Sequence, residues 1–361
     1  MIKKKEKNNR RYSIMNQEKT ILFLGGSITC GAAASAYEKC WAYLAYQKIA
    51  PVLFPGPCRM INAAISGTGS WVGALRLSRH VLPYKPDLVF IEFAVNDLSM
   101  AQSDPQTVIS SLDHIIRALV KCNPQVGIAF VYTTSSGKNA AAAHHTVAEH
   151  YHLPEIDLQT PLAQMIEKGE CAWQDVLADV THPNDRGHAL YAHWVSESVL
   201  ENPDRFLSPV PPVPSIASLP FSDPRILSIR EAMDIRGFEI HPVKEPEGIK
   251  HLPELYITEA ASSQQPGDSI SIAFEGTHFA VYHRIGRDGG KAAVYLDGKL
   301  LYTLDAFYPY AESYQGNGEY LTFVKKSGLP QGHHIARIEV LPEKDPRSSG
   351  LCIDIAGFFI G

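Results

Sequence analysis

The fold of this chain is decided by the stretch Thr20-Ile-Leu-Phe-Leu-Gly-Gly-Ser-Ile-Thr29. Its first half is a short apolar run between polar residues, which is typical of a buried β-strand. The two glycines that follow favour a tight turn, and Ser27 stands directly after them. We therefore expect a strand-to-helix turn that exposes the Ser27 hydroxyl at the carboxyl edge of a parallel sheet, where ligands bind in open α/β folds.

The chain on either side of this stretch repeats the same alternation of elements. Three further apolar runs read as strands: Arg59–Ala63, Leu88–Phe93 and Val126–Tyr132. Three segments have the composition or the apolar spacing of helices: Ala36–Ala50, Thr107–Lys121 and Arg186–Leu200. Strands that alternate with helices predict an α/β domain with a parallel sheet, which we place at residues 19–207.

The composition changes after this domain. The segment Ser208-Pro-Val-Pro-Pro-Val-Pro214 has too many prolines for a helix or a central strand, so residues 208–220 are predicted to be a linker. Short strand-like runs separated by turns follow, and Asp297-Gly298 between two of them is a strong hairpin signal. Residues 221–361 are therefore expected to form an all-β, jelly-roll-like domain.

Charge and composition narrow the possible partners. The formal net charge is −5, so no overall basic field would attract a nucleic acid. The basic N-terminal segment, residues 1–18, is expected to be a disordered leader, because the apolar run after it is too short for a signal peptide. No stretch approaches the ~20 apolar residues of a membrane span. The six cysteines are scattered, which favours reduced thiols and a cytoplasmic location without membrane partners.

A second polar motif lies near the end of the α/β domain. Asp179 stands three residues before His182, in a segment that is expected to be a loop before the last helix. This spacing lets the carboxylate accept a hydrogen bond from the imidazole Nδ1–H, so that Nε2 can take a proton from Ser27. Alone, the motif would be read as a turn cap beside an exposed histidine.

Two more segments end strands at the same expected edge. One contains Gly67, which follows the second strand, and the other contains Asn96, which follows the third. A glycine lets a backbone N–H approach a ligand closely, and an asparagine amide adds a further N–H. Such donors are what a tetrahedral oxyanion of acyl transfer requires, so the four segments converge on one reaction.

These four segments resemble, in order, the four blocks of the SGNH/GDSL hydrolase family. The resemblance rests on Gly25-Gly26-Ser27-Ile28-Thr29, Gly67, Asn96-Asp97 and Asp179-x-x-His182, and it covers roughly residues 19–202. It implies a flavodoxin-like α/β/α sandwich, no metal and no other cofactor. It also implies Ser27 as the nucleophile, His182 as the base, Asp179 as its partner, and an oxyanion hole from Ser27 N–H, Gly67 N–H and the Asn96 side chain.

Two positions depart from the family pattern. Gly26 stands where the family name has Asp, and Ala94 stands where the third block usually has Gly. Neither position supplies a reacting group. The departures are therefore expected to affect substrate preference more than activity.

Two clusters outside the motifs allow other interpretations. His144, His145, His150 and His152 lie close together with Glu149, but they lack a recognised zinc spacing and are interpreted as solvated helix or loop residues. In the β domain, aromatic residues cluster around Gly316-Asn317-Gly318: Phe307, Tyr308, Tyr310, Tyr314 and Tyr320. Their rings could stack on sugars, although core packing is slightly favoured.

The sequence therefore predicts a serine esterase that hydrolyses short acyl esters, acetyl esters of a carbohydrate above all, through an acyl-Ser27 intermediate. Its partner would be a small-molecule ester, with self-association as a possible homo-oligomer. Two alternatives stay open at this point. One is an acylhydrolase of the lysophospholipase or thioesterase type, and the other is a non-catalytic carbohydrate-binding module.

Overall fold

The computed structural model describes residues 18–219, 221–243, 258–308, 319–321, 325–326 and 328–361. The chain divides into two compact units: the first comprises the chain up to Gly73 and His80–Ser218, and the second comprises Ala74–Arg79 and Leu219–Gly361. The predicted leader, apart from Glu18, lies outside the described residues. Within the described part of the chain, no helix is both long and apolar enough to cross a membrane.

The first unit is built on five strands that run in parallel. They are β1 (Lys19–Gly25), β2 (Cys58–Asn62), β3 (Leu88–Glu92), β4 (Gly127–Tyr132) and β5 (Glu155–Asp157), in the spatial order β2-β1-β3-β4-β5. This is the flavodoxin-like order, in which the direction of winding reverses beside β1. The predicted α/β fold with a parallel sheet is confirmed, and β5 is an additional strand at its edge.

Helices follow the strands along the chain from Ser27 to Leu207. They are α1 (Ser27–Cys30), α2 (Trp41–Leu53), α3 (Ser70–Leu75), α4 (Leu77–His80), α5 (Leu98–Ser103), α6 (Pro105–Cys122), α7 (Ala141–Tyr151), α8 (Gln159–Glu167), α9 (Trp173–Val176), α10 (Asp185–Glu201) and α11 (Pro203–Leu207). Short 3₁₀ turns cover Tyr37–Lys39 and Leu82–Tyr84.

Both faces of the sheet are covered, so the three inner strands β1, β3 and β4 are mostly apolar and almost fully buried rather than alternating. On one face, Ile21 and Phe23 of β1 share a core with residues of α2 and α10. Leu22 and Leu24 point the other way and are also fully buried. The apolar stripe of α6, which includes Leu112, Ile115, Ile116 and Leu119, is buried as well. This packing fixes the carboxyl ends of the strands, where the site lies.

Apart from Ala74–Arg79, which spans parts of helices α3 and α4, the second unit is all-β, as predicted. Its strands are β6 (Arg225–Ser228), β7 (Asp234–Arg236), β8 (Glu239–Pro242), β9 (Glu259–Ser263), β10 (Ser269–Glu275), β11 (Phe279–Ile285), β12 (Lys291–Leu296), β13 (Lys299–Asp305), β14 (Glu319–Leu321), β15 (Lys325–Lys326), β16 (His333–Val340) and β17 (Ile353–Ile360), with a 3₁₀ turn at Ile229–Glu231. They form two antiparallel sheets, one in the order β13-β12-β16-β10-β7 and one built around β14-β11-β17-β9-β8.

The two sheets share one apolar core. Phe274 of β10 stacks on Phe279 of β11 with ring centroids 5.1 Å apart, and both belong to the same buried cluster. The predicted hairpin joins β12 to β13. Asp297 and Gly298 both have positive φ, 50° and 78°, which is the backbone of a type I′ turn and explains why Gly occupies its second position.

Candidate active site

Ser27 stands at the carboxyl end of β1. The strand ends at Gly25, Gly26 makes the turn, and the four-residue helix α1 begins at Ser27 itself. Gly31 ends the helix in the left-handed conformation, with φ of 94°, which is why a glycine serves there. The Ser27 side chain is largely buried, in a residue that is 8% exposed. The predicted strand-to-helix turn is present.

His182 reaches Ser27 from a loop between α9 and α10. The loop is tight: Ala178 N–H donates to His182 O at 2.8 Å, and Asn184 N–H donates to Val176 O at 3.0 Å. Asn184 also caps α10 with its side chain. The result is that His182 Nε2 lies 2.8 Å from Ser27 Oγ, although the two residues are 155 positions apart in the chain.

Asp179 holds the other side of the imidazole. Its Oδ2 lies 2.7 Å from His182 Nδ1, and its Oδ1 accepts the backbone N–H groups of Thr181 and His182, each at 2.7 Å. A carboxylate beside Nδ1 fixes the tautomer with the proton on Nδ1, so Nε2 presents a lone pair to Ser27 Oγ. Partial burial works to raise the pKa of Asp179, but these hydrogen bonds outweigh it and lower the pKa below its ordinary value.

The loop of His182 is clamped by two serines that sequence reasoning missed. Val180 O accepts hydrogen bonds from Ser135 Oγ at 3.1 Å and from Ser136 Oγ at 2.9 Å. Ser136 has a φ of 44°, an uncommon conformation for a residue with a side chain. The clamp follows β4, so another strand end contributes to the same site.

The predicted oxyanion segments meet at Gly26. A Cβ atom on Gly26 would overlap Asn96 Oδ1 and would approach Thr68 O to 3.3 Å. Gly67 is exposed in the bend between β2 and α3, with φ of 69°. The structure therefore brings the nucleophile turn, the Gly67 loop and Asn96 together. The absence of a side chain at Gly26 makes room for the Asn96 amide, and the expected effect of this departure on substrate preference more than on activity stays a prediction.

Asp97, which the sequence identified as part of the Asn96-Asp97 block without assigning it a role, connects two of these segments. Its Oδ1 accepts Ser70 N–H at 2.9 Å, directly after the Gly67–Gly69 loop. Its Oδ2 lies 2.9 Å from His144 Nε2. Both residues are buried, Asp97 at 1% and His144 at 0% exposure. The interpretation of His144 as a solvated histidine is therefore wrong: helix α7 turns this residue toward β4 and the site, with Val147, Ala148 and Tyr151 on the same buried face.

The other histidines of the cluster are not at the site. His145 is exposed and pairs with Glu155 at 2.9 Å, and His150 Nε2 lies 2.8 Å from the carbonyl of Pro214. Among the residues that the structure describes, no group of three His, Cys, Asp or Glu side chains could hold a metal ion.

A buried carboxyl group, Glu92, lies under the nucleophile turn at the end of β3. It accepts hydrogen bonds from Thr29 Oγ1 and Thr133 Oγ1, each at 2.7 Å, and from Gly26 N–H. Burial raises the pKa of Glu92 to about 7, although these hydrogen bonds oppose the shift. Through these hydrogen bonds Glu92 links β3 to α1 and to the residue after β4. It thereby stabilises the turn that carries Ser27.

The aromatic cluster of the second unit is described only in part. Phe307 and Tyr308 are half-buried, and Phe307 lies 4.9 Å from the Arg347 guanidinium. Tyr310, Tyr314, Gly316-Asn317-Gly318 and the side chain of Tyr320 lie outside the described residues.

Comparison with known proteins finds a family model that matches part of the chain and solved structures with a similar fold. Residues 23–190 match the model of the GDSL-like lipase/acylhydrolase family. No curated protein matches the chain in sequence. A two-domain esterase (CEX) active on acetylated mannans is 24% identical in its crystal structure, with a TM-score of 0.78, covering 98% of this chain and 94% of that chain.

Two further crystal structures are similar. CEX co-crystallised with mannopentaose is 24% identical, with a TM-score of 0.77, covering 98% of this chain and 93% of that chain. The acetyl xylan esterase AlAXEase is 21% identical, with a TM-score of 0.41, covering 50% of this chain and 99% of that chain. At 24% sequence identity, the likeness to the two CEX structures establishes that the two-domain fold is shared.

Proposed function

We propose that this chain, in which residues 23–190 form a GDSL-like lipase/acylhydrolase domain, removes acetyl groups from esters of carbohydrates. Lipases and acylhydrolases cleave carboxylic esters, so the chain is a carboxylic ester hydrolase. The mechanism, the acyl group and the carbohydrate are the proposed parts. The observation that carries the mechanism is the continuous hydrogen-bonded line from Ser27 Oγ through His182 to Asp179, with distances of 2.8 Å and 2.7 Å.

The first half of the reaction forms an acyl-enzyme. Ser27 Oγ attacks the ester carbonyl carbon while its proton moves to His182 Nε2, and Asp179 stabilises the imidazolium that results. The new C–O bond makes a tetrahedral intermediate. His182 then gives its proton to the oxygen of the leaving alcohol as the bond from that oxygen to the acyl carbon breaks.

The second half of the reaction releases the acid. A water molecule gives a proton to His182 Nε2 and attacks the acyl carbon, and the bond to Ser27 Oγ breaks as that oxygen is reprotonated. In both halves the negative charge lies on the former carbonyl oxygen. We assign its stabilisation to the N–H groups of Ser27 and Gly67 and to the Asn96 amide, because these segments meet at Gly26.

A small acyl group fits the surroundings of the site. Among the described residues, the exposed large hydrophobic side chains are Val52, Val180, Leu200, Met233, Leu300 and Ile335. Of these, Val180 alone lies in the segment that carries His182 and Asp179. A long acyl chain is removed from water only if it can pack against an extended apolar surface. The methyl group of an acetyl ester needs contact with no more than one apolar side chain.

A carbohydrate as the alcohol part is supported by the likeness to CEX, which is active on acetylated mannans and shares the fold along 98% of this chain. We propose that the second unit contributes to holding the saccharide. The half-buried Phe307 and Tyr308 are its described aromatic candidates, because a ring face can stack on a sugar. The domain limits 19–207, 208–220 and 221–361 likewise stay proposals.

Turnover of a chromogenic aryl acetate, together with labelling by a serine-directed phosphonate, tests the mechanism. We expect hydrolysis by the full chain, a phosphonate adduct on Ser27, and loss of both in Ser27→Ala. The matched control is Ser103→Ala, which removes an exposed serine hydroxyl on α5. A folded protein with neither turnover nor a Ser27 adduct would contradict the proposed mechanism. It would favour the alternative of a non-catalytic carbohydrate-binding module.

Release of acetate from acetylated manno-oligosaccharides tests the substrate. We expect a higher kcat/KM for these than for an aryl acetate, because binding energy from the remote sugar is available to the reaction. A preference for palmitoyl esters would instead favour a lysophospholipase. Self-association as a homo-oligomer and a cytoplasmic location remain predictions, to be tested by analytical ultracentrifugation and by cell fractionation.

A further inference from the structure

One buried hydrogen-bonded pair behind the site, His144 and Asp97, takes no direct part in the proposed reaction. His144 and Asp97 face each other with Nε2 and Oδ2 2.9 Å apart, and neither side chain is more than 2% exposed. Burying two polar groups costs free energy unless each finds a partner. The pair lies between helix α7 and the segment that contains Asn96, so it stabilises the contact of these two parts of the chain.

The two carboxylate oxygens of Asp97 hold different parts of the molecule. Oδ1 accepts Ser70 N–H at 2.9 Å, at the end of the loop that carries Gly67. The backbone of Asp97 continues directly from Asn96. One carboxylate therefore links both oxyanion segments, and its own direction is fixed by His144 through Oδ2.

The surroundings of His144 determine which ring nitrogen carries its proton. Among the described residues, Nδ1 is buried and has no hydrogen-bond partner. The ring meets Phe130 and Tyr132 edge-on, with centroids 5.6 Å and 6.0 Å away. A proton on Nδ1 would be a buried unsatisfied donor, so the hydrogen-bond network assigns a neutral ring that donates Nε2–H to Asp97.

Helix α7, which carries His144, is itself attached to the Asn96 segment. The N–H of Ala140, the residue before the helix, donates to Ala94 O at 2.7 Å. His144 and Asn96 are thus parts of one rigid corner, joined by a backbone bond and by the pair with Asp97. Rigid placement of donors matters because an oxyanion hole must be in position before the charge develops.

We propose that His144 is a positioning residue: through Asp97 it holds Asn96 and the Gly67 loop at the places where they bind the oxyanion. The inference rests on the proposed serine esterase mechanism. It assigns His144 no contact with the substrate and no proton transfer. Loss of its Nε2–H should therefore lower kcat through the oxyanion donors and leave substrate binding almost unchanged.

A double-mutant cycle in the full chain tests this role. His144→Phe keeps a ring but removes the donor, and we expect kcat for an aryl acetate to fall roughly tenfold with KM within about twofold. His144→Gln restores an N–H toward Asp97 and should keep kcat within about threefold of the wild type. In the Asn96→Ala background, His144→Phe should lower kcat by less than about twofold, because the oxyanion donor that His144 positions is already absent.

The matched control is His145→Phe on the same helix, an exposed residue that pairs with Glu155. It should leave kcat unchanged. Active sites are counted with the phosphonate, so that any misfolded fraction is removed from kcat. Should His144→Phe fail to fold, Asp97→Asn replaces it, because the single acceptor oxygen of an asparagine cannot serve both Ser70 N–H and His144 Nε2–H, so the link between them is broken.

Each outcome decides between the two claims. A wild-type chain without turnover or a Ser27 adduct would overturn the proposed function and this inference with it. An active wild type in which His144→Phe matches wild-type kcat would overturn the inference alone. If His144→Phe lowers kcat equally in the wild type and in the Asn96→Ala variant, or if His144→Gln does not restore kcat, His144 has a role in general stability. Either result would also overturn the inference.

Discussion

The side-chain oxygen of Asn96 occupies the space that a Cβ atom on residue 26 would need. Gly26 is the position at which the family name has Asp. In this chain a side chain there would have to displace the Asn96 amide, which is the far end of a flexible side chain and can move. The cost of such a change therefore falls on the oxyanion hole more than on folding.

Gly26→Ala should lower kcat by tenfold or more. One oxyanion donor raises kcat by roughly 10²–10³-fold, and a displaced donor loses much of that contribution. The melting temperature should change little. Steady-state kinetics and thermal unfolding measure the two effects. Gly25→Ala is the contrast: its Cβ would lie 2.7 Å from the backbone oxygen of Glu92, so it should lower stability. An unchanged kcat in Gly26→Ala would show that Asn96 does not serve the oxyanion.

Asn96→Ala should lower kcat by about 10²–10³-fold, the usual effect of removing one oxyanion donor. Asn123→Ala is the matched control, because the Asn123 amide donates to Pro86 O at 2.8 Å and lies before β4, at the opposite end of the strands from the site. We expect the control to affect stability and leave kcat intact. Equal kcat values for the two variants would contradict the role of Asn96.

Asp179→Asn should leave the fold intact and lower kcat by roughly 10²–10⁴-fold, because the tautomer of His182 is no longer fixed and the imidazolium loses its neighbouring charge. Asp175→Asn is the control: its carboxylate accepts Ala172 N–H at 2.8 Å in the preceding turn and is not hydrogen-bonded to His182. Wild-type kcat in Asp179→Asn would mean that another group orients the base.

Glu92 should make the protein less stable as the pH rises from about 4.5 to about 7. The folded protein keeps the Glu92 proton up to a pKa of about 7, whereas the ordinary value is 4.5. Between these values the folded state binds more protons than the unfolded state, so the free energy of unfolding falls with rising pH. The full effect of such a shift is roughly 3 kcal/mol.

Glu92→Gln removes this titration and tests the prediction. Melting temperatures of the variant and of the wild type should diverge between pH 4.5 and 7, with the variant gaining relative to the wild type as the pH rises. Above pH 7 the difference should stay constant. Parallel curves over the whole range would mean that Glu92 is ionised in the folded protein at every pH examined.

Acyl length should control turnover. Along a series of aryl esters from acetate to palmitate, kcat/KM should fall, because Val180 is the one large exposed apolar side chain in the described segment that carries Asp179 and His182. The truncated first unit is unsuitable for this comparison, since Ala74–Arg79 groups with the second unit. A maximum at long chains in the full protein would contradict the acetylesterase proposal.

The sheet was predictable because apolar runs are local in sequence, and the contact of Ser27 with His182 because each residue stands in a short motif of recognisable chemistry. Apolar runs identified β1 to β4, and parallel strands place their carboxyl ends at one edge. Strand β5 escaped prediction since Glu155–Asp157 is too short to show a periodicity. The Asp297-Gly298 turn was predictable because both residues tolerate positive φ.

The role of His144 was harder to predict because four histidines within nine residues obscure the pattern of the helix. The signal is nevertheless present: His144, Val147, Ala148 and Tyr151 are spaced three or four residues apart and form the buried face of α7. The clamp by Ser135 and Ser136 left no comparable signal. Its contacts join a turn to a loop 44 or 45 residues away, a distance that no local pattern encodes.

The separation of Ser27 and His182 by 155 positions also has a consequence in time. During synthesis at about 5–20 residues per second, the serine emerges roughly 8–30 s before the histidine. The loop of His182 is anchored only when α10 follows and His188 Nδ1 accepts Trp41 N–H from α2. On the proposed mechanism, a growing polypeptide on the ribosome therefore holds Ser27 without its base until α10 docks, and hydrolytic activity is expected to arise together with that docking.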